Sequence, residues 1–178
     1  MSSRTVDTGL SGAIIGYREA FETLVLALQQ ASVRHYGDRL ISLAVFGSVG
    51  RGTMRPDSDV DALVVATPLA AGRLRRVADF SAVEAQLDPL LLNLRAKGVD
   101  TCLAPLFKTP EEVAARSPIL LDMTEDTRIL FDRDGFLRRE LDNLAAGLRR
   151  LGAKRHFVGN AWWWDLKPDF RPGDVVVL

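Results

Sequence analysis

The sequence holds little of what redox and soft-metal chemistry needs: one cysteine, Cys102, and two histidines, His35 and His156, in 178 residues. A single thiol excludes an intramolecular disulfide framework and a CxxC-type zinc site. Two histidines so far apart in sequence offer no basis for a histidine metal centre or a nucleophile–histidine triad. An excess of one charge is missing too, since 23 Lys and Arg balance 23 Asp and Glu. Proteins that grip a long nucleic acid usually carry a basic excess, because phosphate neutralisation supplies most of that affinity. No extended nucleic-acid partner is therefore expected. Charges interrupt every apolar run well before membrane-spanning length, and Met1 to Asp7 is polar, without a basic-then-apolar leader. A cytoplasmic protein without a membrane partner is expected.

What remains is ordinary globular material, long enough for one compact domain with a substantial core. Residues 1–16, rich in Ser, Thr and Gly, read as a flexible lead-in to a domain spanning residues 17–153. Phe21, Leu24, Val25 and Leu28 fall at i, i+3, i+4 and i+7, so a helix is expected from Tyr17 to about Tyr36. Leu40 to Phe46 reads as a buried strand closed by Gly47 and Ser48. Val49 to Ser58 reads as loop, and Asp59 to Ala66 as a second, valine-rich strand. A helix is expected over Gly72 to Lys97, with Pro89 placed to kink or split it. A third strand is expected over Val99 to Lys108. Thr109, Pro110, Glu111 and Glu112 form a helix start, and a further helix is expected from Gly135 to Leu151.

After Lys154 the character changes. Residues 154–178 hold all three tryptophans, Trp162, Trp163 and Trp164, and read as an aromatic C-terminal arm. Three consecutive rings cannot all face one way, so the arm either lies across the core or anchors a partner. Its apolar end, Val175 to Leu178, suits strand addition to a sheet edge of its own or another chain, which leaves a homo-oligomer open. The element order implies a mixed α/β (α+β) fold, a small mixed sheet flanked by helices.

Two short stretches carry the chemistry. Gly47 lets backbone approach a ligand closely, and its amide joins the Ser48 hydroxyl as a donor, so the pair reads either as a phosphate loop or as a plain turn. Asp59 and Asp61, two apart on a strand, point to one face roughly 6.5 Å apart. At an effective dielectric of about 20 they repel by about 2.5 kcal/mol, which a divalent cation relieves. Hard oxygen ligands suit Mg²⁺ or Mn²⁺, with water and phosphate completing the shell. The alternative is that Asp59 belongs to a turn and Asp61 is solvated at a strand edge. A glycine-serine turn followed, after ten intervening residues, by Asp-x-Asp opening a valine-rich strand is a much rarer conjunction than either part.

Leu43 to Gly52 followed by Asp57 to Asp61 resembles the nucleotidyltransferase motif of the DNA polymerase β superfamily. It is most similar to the minimal nucleotidyltransferases often paired with HEPN-domain toxins. The resemblance implies a polymerase β-like nucleotidyltransferase fold and transfer of a nucleoside monophosphate, AMP from ATP, to a hydroxyl acceptor with release of pyrophosphate. It implies that Gly47 and Ser48 hold the triphosphate and that Asp59 and Asp61 bind Mg²⁺ or Mn²⁺. Arg51 is placed to contact phosphate or to sit solvated in its loop. It also implies a HEPN-domain partner, with this chain as antitoxin. The family's third carboxylate lies on the strand after the crossover helix. Residues 102 to 106 of that strand contain no acid, and Asp100 at its entrance shares the parity of Cys102 and Ala104. Asp100 is thus the third catalytic candidate or a strand cap. Without a third acid, the alternative is a nucleotide-binding antitoxin that acts by contact.

Overall fold

The computed structural model describes residues 9–159, 161–171 and 174, with side chains undescribed at 9–15 and 161. The core is a four-stranded sheet of β1 (Leu40–Val45), β2 (Val60–Ala66), β3 (Leu103–Lys108) and β4 (Arg128–Asp132), in the order β3-β2-β1-β4. β1 runs antiparallel to both β2 and β4, whereas β2 and β3 are parallel. The parallel pair requires a crossover, which α3 (Arg73–Ala96) supplies.

Period-two alternation along β2 sorts its side chains into two cores. Val60, Ala62, Val64 and Ala66 face α1 (Gly9–Tyr36) and α3, packing on Phe21, Leu24, Leu28, Phe80 and Val83. Leu63 and Val65 face the opposite layer, made by α4 (Pro110–Ala114), α5 (Ile119–Asp126) and α6 (Phe136–Leu151). Asp61 has the parity of Leu63, so its side chain emerges on the α5 side. The mixed α/β expectation holds, as a helix–sheet–helix sandwich.

Several boundaries differ from the sequence reading, each for a local reason. α1 begins at Gly9, so residues 9–16 form its first turns rather than a lead-in; Gly and Ser lower helix propensity without forbidding it. Residues 1–8 and the Val175 to Leu178 segment lie outside the described residues. Pro89 neither splits nor ends α3. It sits on the exposed face, as does Ala85, whose carbonyl loses its helical partner, so water can replace the missing bond. α4 starts as expected: the Thr109 hydroxyl accepts from the Glu112 amide while Glu112 accepts from the Thr109 amide.

Two elements and a whole hairpin are additions. α5 and β4 fill the stretch between α4 and α6. The segment after Lys154 folds as an antiparallel hairpin, β5 (Lys154–Val158) and β6 (Ala161–Asp165). Trp162 and Trp164 point to one face of it, with Arg155 and Phe157; Trp163 points to the other and stacks on His156, ring centroids 5.2 Å apart. Among the described residues no helix is long and apolar enough to cross a membrane.

Candidate functional site

β1 ends at Val45, and the chain turns through the single helical turn α2 (Gly47–Gly50). The Phe46 amide donates to the Asp61 carbonyl at 3.0 Å, fixing this turn against β2. Gly47 has φ +64°, and a Cβ there would collide with Asp61 Oδ2, so only glycine lets the carboxylate lie over the turn. The turn is closed from behind by the Thr53 amide on the Ser48 carbonyl and the Arg51 amide on the Gly47 carbonyl. Gly50 is equally constrained: a Cβ there would collide with the Asp126 carbonyl at the end of α5.

A cavity of about 320 Å³ opens beside this turn. Gly47, Ser48, Arg51 and Asp61 line one side of it; Asp122 and Asp126 of α5 and Trp162 of β6 line the other. The structure therefore brings together four of the six residues read from the sequence. Asp59 lies just before β2, where the Cys102 thiol donates to its Oδ1 at 3.0 Å. That bond, together with burial and the charges of Asp59, Asp100 and Asp61, pushes the Cys102 thiol up to about 11.

Burial raises the Asp61 carboxyl above its ordinary value, the Asp59 charge raises it further, and Arg51 lowers it in part. Among the described residues neither Asp59 nor Asp61 forms an ion pair with any Lys, Arg or His, and no three His, Cys, Asp or Glu side chains gather into a ready metal cluster. Two hard, mutually repelling carboxylates with no ion-pair partner among the described residues fit a divalent ion that would take its remaining ligands from water and phosphate.

Asp100 was read from the sequence either as a third acid or as a strand cap. β3 begins only at Leu103, so strand alternation does not extend back to residue 100. The Asp100 carboxylate accepts from Arg95 Nε at 2.8 Å and is largely exposed. The positions facing the acid pair across the parallel ladder are instead Ala104, opposite Asp61, and Cys102, whose carbonyl accepts from the Val60 amide.

The far wall of the cavity is the part the sequence reading missed. Asp122 and Asp126 are four apart on α5 and share a face. Asp122 Oδ1 accepts from both Trp162 Nε1 at 2.8 Å and Trp164 Nε1 at 2.9 Å. Asp126 Oδ2 accepts from Arg155 at 2.7 Å and from Arg51 at 3.1 Å. Arg155, 8% exposed, also reaches Glu125 at 3.0 Å and lies 4.5 Å from the Trp162 ring centre. The available signals were the alternation of Trp162 with Trp164 and the i, i+4 spacing of the two acids; neither names a partner.

Residues 28–117 match the family described as nucleotidyltransferase domain. A curated protein of Methanocaldococcus jannaschii, named "Putative protein adenylyltransferase MJ1305", is 29% identical over 139 residues, 77% of this chain and 88% of that protein. Among solved structures, one titled as a toxin-antitoxin with AMP-PNP aligns at TM-score 0.42 and 15% identity, covering 74% of this chain and 92% of that one. Another, titled as the toxin-antitoxin MntA-HepT, aligns at TM-score 0.37 and 12% identity, covering 75% and 91%.

Proposed function

Because this chain belongs to the nucleotidyltransferase domain family and is an enzyme of that class, we propose that it transfers AMP from ATP to a hydroxyl on a protein acceptor. The observation that carries this reading is the seating of Asp61 directly over Gly47, in a cavity shared with Ser48 and Arg51. Carboxylate and phosphate-binding turn are thereby held within one ligand's reach.

In this reading the Gly47 amide and the Ser48 hydroxyl donate to the triphosphate, and Arg51 contributes charge to it. Asp59 and Asp61 hold Mg²⁺ or Mn²⁺. When bound, that ion neutralises phosphate charge and lowers the pKa of the attacking hydroxyl. The acceptor oxygen bonds to the α-phosphorus as the bond to the pyrophosphate oxygen breaks, and the hydroxyl proton passes to solvent. Asp61, pushed up first by burial and then by the Asp59 charge, would be held as the carboxylate by such a cation.

A protein acceptor is supported by the name of the curated relative, which covers most of both chains. The sequence resemblance to minimal nucleotidyltransferases makes a HEPN-domain protein the first acceptor to try, with this chain as its antitoxin. The test incubates the full chain with Mg²⁺, α-labelled ATP and such a partner. Label is expected on the partner, and neither Asp59→Asn nor Asp61→Asn should transfer it. Labelling that survives both substitutions overturns the reading.

A further inference from the structure

The C-terminal hairpin reaches the cavity through one side chain, Trp162, and what that side chain touches is Arg51. The Arg51 guanidinium carbon lies 5.1 Å from the Trp162 ring centre, and its Nη1 donates to Asp126 Oδ2 at 3.1 Å. Trp162 is itself held: its indole N–H donates to Asp122 at 2.8 Å, and Arg155 lies 4.5 Å from the same ring. Asp126 is held as well, with Arg155 on its Oδ2 at 2.7 Å. Arg51 is thus set between an aromatic ring and a carboxylate, both fixed by groups outside its own loop. Of its five N–H donors, one is engaged among the described residues, which leaves a charged fork at the cavity rim beside Ser48.

We infer that Trp162 is a positioning residue for the nucleotide, acting through Arg51: the hairpin aims the guanidinium that meets the triphosphate. This rests on the reading of Arg51 as a phosphate contact. A free arginine in a glycine-bounded loop loses considerable side-chain entropy when it binds an anion, and a ring and a carboxylate that hold it beforehand remove that loss. The ring suits this task because it attracts the cation without competing for the N–H donors that phosphate needs. Asp126 does compete for one donor, but its charge is shared with Arg155.

The test is a calorimetric double-mutant cycle on the full chain with Mg²⁺, using a non-hydrolysable ATP analogue and inorganic tripolyphosphate as probes. Arg51→Ala should weaken both probes by about tenfold, the size of one charge-assisted contact. Trp162→Leu should weaken both by about fivefold, the size of one cation–π contact, and Trp162→Phe, which keeps a ring, by less than about twofold. Trp162→Leu in the Arg51→Ala background should add nothing further. Thermal melts verify the fold; if the leucine variant melts early, Trp162→Met, closer in length and without a ring, replaces it in the cycle.

Unchanged binding in the Trp162 variant overturns the inference. So does an undiminished loss in the Arg51→Ala background, which makes the ring's contribution independent of Arg51. A loss confined to the ATP analogue overturns it too, because the ring then touches the nucleoside. A wild-type protein that binds neither probe removes the phosphate reading itself, and the inference with it. A wild-type protein that binds both without coupling removes the inference alone.

Discussion

The two walls of the cavity are built on different principles. The wall of Gly47, Ser48 and Asp61 comes from one β-turn-β unit, with its parts set by backbone hydrogen bonds and a glycine with positive φ. The wall of Asp122, Asp126 and Trp162 comes from a helix and a hairpin some forty residues apart, joined by Arg155 and two indole N–H groups. Local backbone geometry places reacting groups with little freedom. Long-range ion pairs and aromatic contacts place groups whose positions depend on several partners at once. On the proposed function, the first wall would carry the chemistry and the second would hold and aim.

Substitutions on each side should separate these roles. The largest effect is expected on the first wall: Asp61→Asn should lower AMP transfer by about three orders of magnitude, since a cation's stabilisation of the transition state is worth several kcal/mol. Its melting temperature should stay the same or rise, because a half-buried, repelled carboxylate has been removed. Single-turnover labelling and a thermal melt together check this.

On the second wall the order reverses. Arg155→Met leaves Asp122, Glu125 and Asp126 without their shared cation and should cost about 3 kcal/mol of stability. Urea unfolding reads that loss, and transfer should fall far less than in Asp61→Asn. If transfer falls as steeply, the division between the walls fails.

Gly47→Ala sharpens the first wall further. The positive φ alone should cost about 1–2 kcal/mol, and the collision with Asp61 must turn that carboxylate away. Transfer should therefore drop more than urea-derived stability does.

The smallest effect lies away from the cavity. Arg76, then burial and the Thr109 amide, act on the Glu112 carboxyl, with a net shift below the usual range. A lowered folded-state pKa contributes stability that is fully present above the unfolded value of about 4.3 and is lost as pH falls through the folded value. Glu112→Gln should thus lower the melting temperature slightly at neutral pH, and the difference from wild type should vanish in acid. A difference that grows in acid would reverse the sign of that coupling.

The same contrast explains what the sequence made legible. β1, the glycine turn, β2 and the crossover helix are written in local periodicity and turn chemistry, so Gly47, Ser48 and Asp61, which line one cavity, could be picked out together, with Asp59 just before β2. β4 offered only Ile129, Leu130 and Phe131 between two charged residues, too short a run to announce a strand. α5 was hidden because its acids look like solvated turn residues until Arg155 and the tryptophans are brought to them. Parity could not place Asp100, because it counts only inside a strand and β3 starts three residues later. The C-terminal segment was recognisable as unusual by its tryptophans, but its partner on α5 is a property of tertiary packing.

Gly50 deserves a different reading from the one its loop position invites. With no side chain, it lets the backbone of the Gly47–Gly50 turn press against the last carbonyl of α5, with the Val45 carbonyl close on the same side. Glycine here acts as a shim of zero thickness, not as a hinge. The turn and α5 are locked into one block, and the two walls cannot be respaced by sliding α5. In a saturation-mutagenesis survey, position 50 should be as intolerant as the acids, although its own atoms line no part of the cavity.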